Sequence, residues 1–130
     1  MIDPVPVDSI IKGIIDCPSE SRAVELKPSI PWNDVDQQEQ VQDIVKSVLG
    51  MSNIRDGGKI VLGVRQNSDK TFEVTGMTDE DLQTYDQEKI YQDVRNFGKP
   101  EPRFEIRSMQ YNGKFFIVFF VHFFFDFFDT

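Results

Sequence analysis

The chain is predicted to be an α+β protein: a single compact domain with a mixed sheet, a central amphipathic helix and a C-terminal β-hairpin. Three observations lead there. Val41, Ile44, Val45, Val48 and Leu49 recur at helical spacing. Lys59 to Val64 is almost continuously apolar, as in a strand covered on both faces. Asn112-Gly113, between Phe104–Gln110 and Lys114–His122, is the strongest short hairpin signal. At 130 residues, 39% hydrophobic and 28% charged, the chain is long enough to bury a real core.

In order along the chain, Asp3 to Pro6 is punctuated by proline and reads as loop. Ser9 to Ile15 places Ile10, Ile11, Ile14 and Ile15 on one helical face, and Pro18 stops that helix. Val24 to Lys27 reads as a short strand, and Pro28 and Pro31 force an irregular loop that carries Trp32. Asp34 is the expected N-cap of the central helix, with Gln37 in the capping-box position and the helix ending near Met51. Asn53 to Gly58 is the exit loop, and Gly57-Gly58 is read as a turn. A P-loop would need its glycines after a strand and a Lys-Ser/Thr opening a helix. After the Lys59–Val64 strand, Gln66 to Lys70 is a polar turn and Thr71 to Val74 a return strand. Thr78 caps one further helix, with Asp79, Glu80 and Asp81 at its positive end and Leu82, Tyr85, Ile90, Val94 and Phe97 on its buried side. Gly98 stops it, and Pro100 and Pro102 make an extended link to the hairpin.

Composition narrows the chemistry. A net charge of -8 argues against a broad electrostatic grip on nucleic acid and leaves room for a local basic patch. Cys17 is the one cysteine and His122 the one histidine, too few for an internal disulfide or a structural zinc site. A reducing, cytoplasmic setting is expected. No basic segment followed by an apolar stretch marks a signal peptide at the N-terminus, and Phe115 to Phe128 is too short and interrupted for a membrane span.

The segment Glu20-Ser21-Arg22-Ala23-Val24-Glu25-Leu26-Lys27 carries the most chemistry. Along a strand, Glu25 and Lys27 point to the same side. They can form a simple ion pair, or begin a metal or phosphate site. Lys27, Lys46, Arg55, Lys59 and Arg65 are the candidates for phosphate contact, and Arg55, Lys59 and Arg65 flank the Gly57-Gly58 turn and its strand closely enough to cluster. Trp32 is placed either to stack on a base or to cover the core. Ser21 has no neighbouring histidine to activate it, Cys17 has no activating partner in sequence, and His122 lies in an apolar strand.

Taken in order, Glu20-Ser21, Val24-Glu25-Leu26-Lys27, Gly50-Met51-Ser52-Asn53, Gly57-Gly58 with Ile60-Val61-Leu62-Gly63-Val64, and Val74-Thr75-Gly76 resemble the motifs of the Schlafen-type AlbA-like domain. The resemblance runs over about residues 12 to 122. It implies a compact α+β domain of the DNA-binding, transcriptional-regulator kind. In some Schlafen proteins it implies a metal-dependent RNA endonuclease using two glutamates and a third acid after the Gly-Val strand. The glutamates correspond to Glu20 and Glu25, but the third position falls at Arg65 or Gln66, and Asp69 is the nearest acid. The expectation is therefore a nucleic-acid-binding regulatory module without catalysis and without a cofactor. One alternative is an endoribonuclease that holds Mg²⁺ or Mn²⁺ on Glu20 and Glu25. Another is an interaction or oligomerisation module with no nucleic-acid role. Nine of the 12 phenylalanines fall between Phe115 and Thr130, which leads to the expectation of a homodimer through the last strand or the tail.

Overall fold

The computed structural model describes residues 2–33, 38–97 and 101–123. Its elements, in order, are β1 (Pro4–Pro6), α1 (Ser9–Asp16), β2 (Val24–Lys27), α2 (Glu39–Met51), β3 (Gly58–Leu62), β4 (Val64–Gln66), β5 (Phe72–Val74), α3 (Asp79–Leu82), α4 (Gln87–Phe97), β6 (Arg103–Tyr111) and β7 (Lys114–His122). The main sheet has five strands in the order β1-β6-β7-β3-β2, and β4 and β5 form a separate two-stranded ribbon. The sheet is mixed: β1 runs parallel to β6 and β2 to β3, while β7 is antiparallel to both of its neighbours. This is the α+β domain expected from the sequence. None of the helices among the described residues is long and apolar enough to cross a membrane.

The sheet separates two apolar clusters. On one face, α2 supplies Val41, Ile44, Val45, Val48 and Met51, and α4 supplies Ile90 and Val94. They meet Ile60 and Leu62 of β3 and Ile117, Phe119 and Val121 of β7. On the other face, Ile11 and Ile15 of α1 meet Leu26, Val61, Met109, Phe116 and Val118, with Val64 of the ribbon. The strand β7 is therefore central and buried on both sides over most of its length, which is why its sequence shows no polar alternation.

Local chemistry explains the elements. Asp8 caps α1 by accepting from the Ile11 N–H at 2.8 Å, a cap not anticipated above. Asn112 and Gly113 both have positive φ, and this two-residue turn pairs Tyr111 with Lys114 and sets the hairpin register. Gly57, at φ +66°, is also required sterically, since a Cβ there would lie 2.0 Å from the Val121 carbonyl oxygen.

Several expectations are corrected. Residues Pro4–Pro6 are an edge strand, where the missing proline N–H groups cost no sheet bond. The Lys59–Val64 strand is not continuous. Gly63, at φ +116°, ends β3 and turns the chain into β4, its carbonyl accepting from the Thr75 and Gly76 N–H groups. The helix begun at Thr78 breaks after Leu82. There Thr84 and Tyr85 are claimed by the 28–33 loop: the Trp32 N–H donates to the Thr84 hydroxyl at 2.7 Å, and the Tyr85 hydroxyl donates to the Ile30 carbonyl at 2.7 Å. Asp86 restarts the helix by accepting from the Glu88 N–H. Phe97 is 44% exposed, not buried. Asp34, Gln37, Gly98, Pro100 and the tail from Phe124 onward lie outside the described residues. Gln38 is extended and α2 starts at Glu39.

Candidate nucleic-acid interface

The residues of the Glu20–Lys27 segment serve the edge of the sheet. Ser21 and Val24 exchange backbone hydrogen bonds along the outer side of β2. The Glu20 carboxylate accepts from the next outward-facing N–H, that of Leu26, at 3.1 Å. Together they close a strand edge that would otherwise present open donors and acceptors. Glu25 and Lys27 lie opposite Ile60 and Leu62, on the α2 side, and do not form an ion pair with each other. One carboxylate oxygen of Glu25, Oε2, is buried without a hydrogen-bond partner.

The metal arrangement can be tested on these contacts. One Glu20 oxygen is engaged by the β2 backbone. Asp69 is held in the β4–β5 turn, where the Thr71 hydroxyl and N–H both donate to it and keep its carboxyl below the usual range. Among the described residues no group of three or more His, Cys, Asp or Glu side chains converges as a metal site. The described residues do not fit a three-acid centre.

The five candidate phosphate ligands are dispersed. Lys27 ends β2 beside Leu62, whereas Lys59 lies beside Val24 at the opposite end of the same strand pair and on the opposite face. Lys46 is on the exposed side of α2, and Arg55 is exposed in the loop before β3. Arg65 pairs with Glu73 at 2.6 Å across the ribbon, away from Lys59. The expected Arg55–Lys59–Arg65 cluster does not include Arg65. Trp32 is 1% exposed and donates from Nε1 to Asp93 at 2.9 Å, so it belongs to the core and offers no face to a base. Cys17 is exposed at the end of α1, and His122 is exposed at the end of β7.

Lys59 has neighbours that the sequence reading did not name. The register sets Lys59 opposite Phe120, Phe120 opposite Glu105, and His122 opposite Arg103. Side chains paired across strands share a face. Phe120 is half-buried against the α1-side cluster, so Lys59, Arg103, Glu105, Arg107 and His122 lie on that face too. Arg103, Glu105, Arg107 and His122 are exposed. The short helix α1 and the ribbon cover the Phe116–Val118 part of the face and leave this part open. The Arg107 guanidinium stands over the Phe120 ring, 5.2 Å from its centre, and pairs with Glu105 at 2.8 Å. The alternation Arg103, Glu105, Arg107, taken with the Asn112-Gly113 turn, contained this arrangement.

Against this geometry, residues 20–124 match the family profile described as Schlafen, AlbA_2. The chain belongs to that family. No curated protein matches it significantly. The Schlafen AlbA_2 domain is similar in structure to the DIP2311 protein from Corynebacterium diphtheriae, with TM-score 0.55 and 14% identity over 87% of this chain and 21% of that one. It is also similar to the N-terminal domain of a RecG-related protein from Nitrosomonas europaea, with TM-score 0.48 and 21% identity over 88% of this chain and 71% of that one. At these identities, the first likeness speaks for the fold of the Schlafen AlbA_2 domain alone.

Proposed function

We propose that this Schlafen AlbA_2 domain is a nucleic-acid-binding module with a regulatory role and without nuclease activity. The observation that carries the reading is the collection of Lys59, Arg103 and Arg107 on the uncovered part of one sheet face, in a chain whose net charge is -8. Cations gathered on one surface of an acidic protein give a local site for a polyanion while the remaining charge discourages indiscriminate binding. The position where the resemblance implies a third acid is taken by Arg65 and Gln66, and Arg65 is paired with Glu73, which favours binding over hydrolysis. The test is titration of the full chain against short single- and double-stranded DNA and RNA at low and raised salt. Affinity should fall as salt rises, because bound phosphates release counterions. No binding at low salt overturns the reading and favours an interaction module, which the net charge suits. Metal-dependent RNA cleavage that is lost in Glu25→Gln overturns the non-catalytic part.

We also propose assembly as a homodimer. Because β7 is paired on both sides within its own chain, no edge of that strand is open, and the contact would fall to the phenylalanine-rich segment beyond it. Light scattering on the full chain and on one ending at His122 tests this. A monomer, or a dimer indifferent to the truncation, counts against it.

A further inference from the structure

We infer that the open part of the α1-side sheet face is a platform for an unpaired nucleic-acid strand. Phe120 takes the flat face of a base, and Lys59, Arg103 and Arg107 take the flanking phosphates. This rests on the nucleic-acid reading above and specifies the form of nucleic acid and the residues that hold it.

The register places the groups as a small grid. Lys59, Phe120 and Glu105 lie in one row across β3, β7 and β6. Arg103 with His122, and Arg107 with Val118, form the rows on either side. Neighbouring strands are about 4.8 Å apart and same-face residues along a strand about 6.8 Å, so all three cations stand within side-chain reach of the ring. An aromatic ring with three cations and one carboxylate, Glu105, around it on an open sheet surface suits single strands: the ring stacks on any base, and the cations follow the backbone. A duplex keeps its base faces inside the stack and gives Phe120 nothing to hold. A flat sheet face also has no element that enters a groove.

Arg103 and Arg107 both have interactions that must yield, and those of Arg107 are weak. The Arg107–Phe120 contact is between an exposed guanidinium and a ring, and the Arg107–Glu105 pair is exposed on both sides. Arg107 can turn on its flexible stem from the ring to a phosphate, leaving the ring to the base. The contacts are to base faces and phosphates, groups that RNA and DNA share, so the platform should accept either sugar.

The experiment is fluorescence anisotropy of the full chain with labelled oligothymidine, oligouridine and a DNA duplex of equal length, at several salt concentrations. Both single strands should bind with similar affinity and the duplex more weakly. Three phosphate contacts correspond to a slope of about -2 in log affinity against log salt. Phe120→Leu keeps an apolar side chain and removes the ring, and should weaken single-strand binding about tenfold with the slope unchanged. Lys59→Gln should weaken binding and make the slope shallower by about 0.7. Far-ultraviolet circular dichroism checks that each variant is folded, and Lys59→Gln stands alone if Phe120→Leu is not. Single-strand binding unaffected by either variant, or a preference for the duplex, overturns the platform and leaves the nucleic-acid reading intact. No binding to any of the three probes overturns both.

Discussion

Phe119 and Phe120 are adjacent in β7, and they show how differently the two faces of the sheet are finished. Phe119 points to the α2 side, where it contacts the rings of Trp32 and Phe104 with centroids 6.0 Å and 5.8 Å away. That side is closed by α2, α4 and the 28–33 loop, and its buried ring donors find partners: Trp32 bonds to Asp93, and Tyr85 to Ile30. Phe120 points to the α1 side, where an eight-residue helix and a short ribbon leave part of the sheet open. One face is filled and closed, and the other is left partly open. Among the described residues, the difference lies in what packs on each side, α2, α4 and a loop against one short helix and a ribbon, since the sheet between them is the same.

The largest expected effect tests that contrast directly. Phe119→Ala should cost about 3–5 kcal/mol, because it removes a large ring from a filled core. Phe120→Ala should cost clearly less, since its ring is only partly buried. Urea denaturation of the two variants decides. Equal losses would mean that the α1 side is as closed as the other.

Next in size is Gly57→Ala. A methyl group would be driven against the Val121 carbonyl in a backbone conformation that disfavours alanine, and the loss should exceed about 1 kcal/mol. The shift in thermal midpoint measures it. No shift would show that the junction between β3 and the end of β7 adjusts easily, and would weaken the case for a rigid open face.

Glu20→Ala should cost about 1 kcal/mol by removing the acceptor for Leu26 on the edge strand, as read from denaturant midpoints. Hydrogen exchange should quicken at Leu26 and not in β7. A loss of cleavage activity without any change in exchange would instead support a catalytic role for this carboxylate.

The smallest effect belongs to Asp69, in the turn of the ribbon. Its carboxyl is held below the usual range by the Thr71 hydroxyl and N–H. A depressed folded pKa means that its contribution is fully present above the ordinary carboxylate value and fades as pH falls through the lowered one. Asp69→Asn should therefore flatten a slight acid-side loss in ribbon stability, followed by NMR shifts of Thr71 across that window. An unchanged profile would show that the turn does not depend on the charged carboxylate.

Much of the fold was legible before the structure, and the same physics explains what was not. The spacing of Val41 to Leu49, the apolar run from Lys59 and the Asn112-Gly113 turn are local signals, and they led to α2, to β3 without its break at Gly63, and to the β6–β7 hairpin. The break between α3 and α4 was hidden because its cause lies far away in sequence, in the loop that claims Thr84 and Tyr85. The edge strand β1 was hidden for a similar reason: Pro4 to Pro6 has no strand signal of its own and is ordered by β6.

For the candidate site, sequence alone determined the residue types, the family motifs and, through a two-residue turn, the register that sets Arg103 opposite His122. It could not determine which cations share a face. Lys27 was one of five candidate phosphate ligands, and Arg55, Lys59 and Arg65 were expected to cluster because they flank the Gly57-Gly58 turn and its strand. The parallel pairing of β2 with β3 sent Lys27 to the far end and the other face, and the kink at Gly63 carried Arg65 into the ribbon. Only the tertiary structure decided that Lys59 keeps company with Arg103, Arg107 and Phe120. Strand order and helix coverage are fixed by contacts between distant segments, and no local pattern of residues records them.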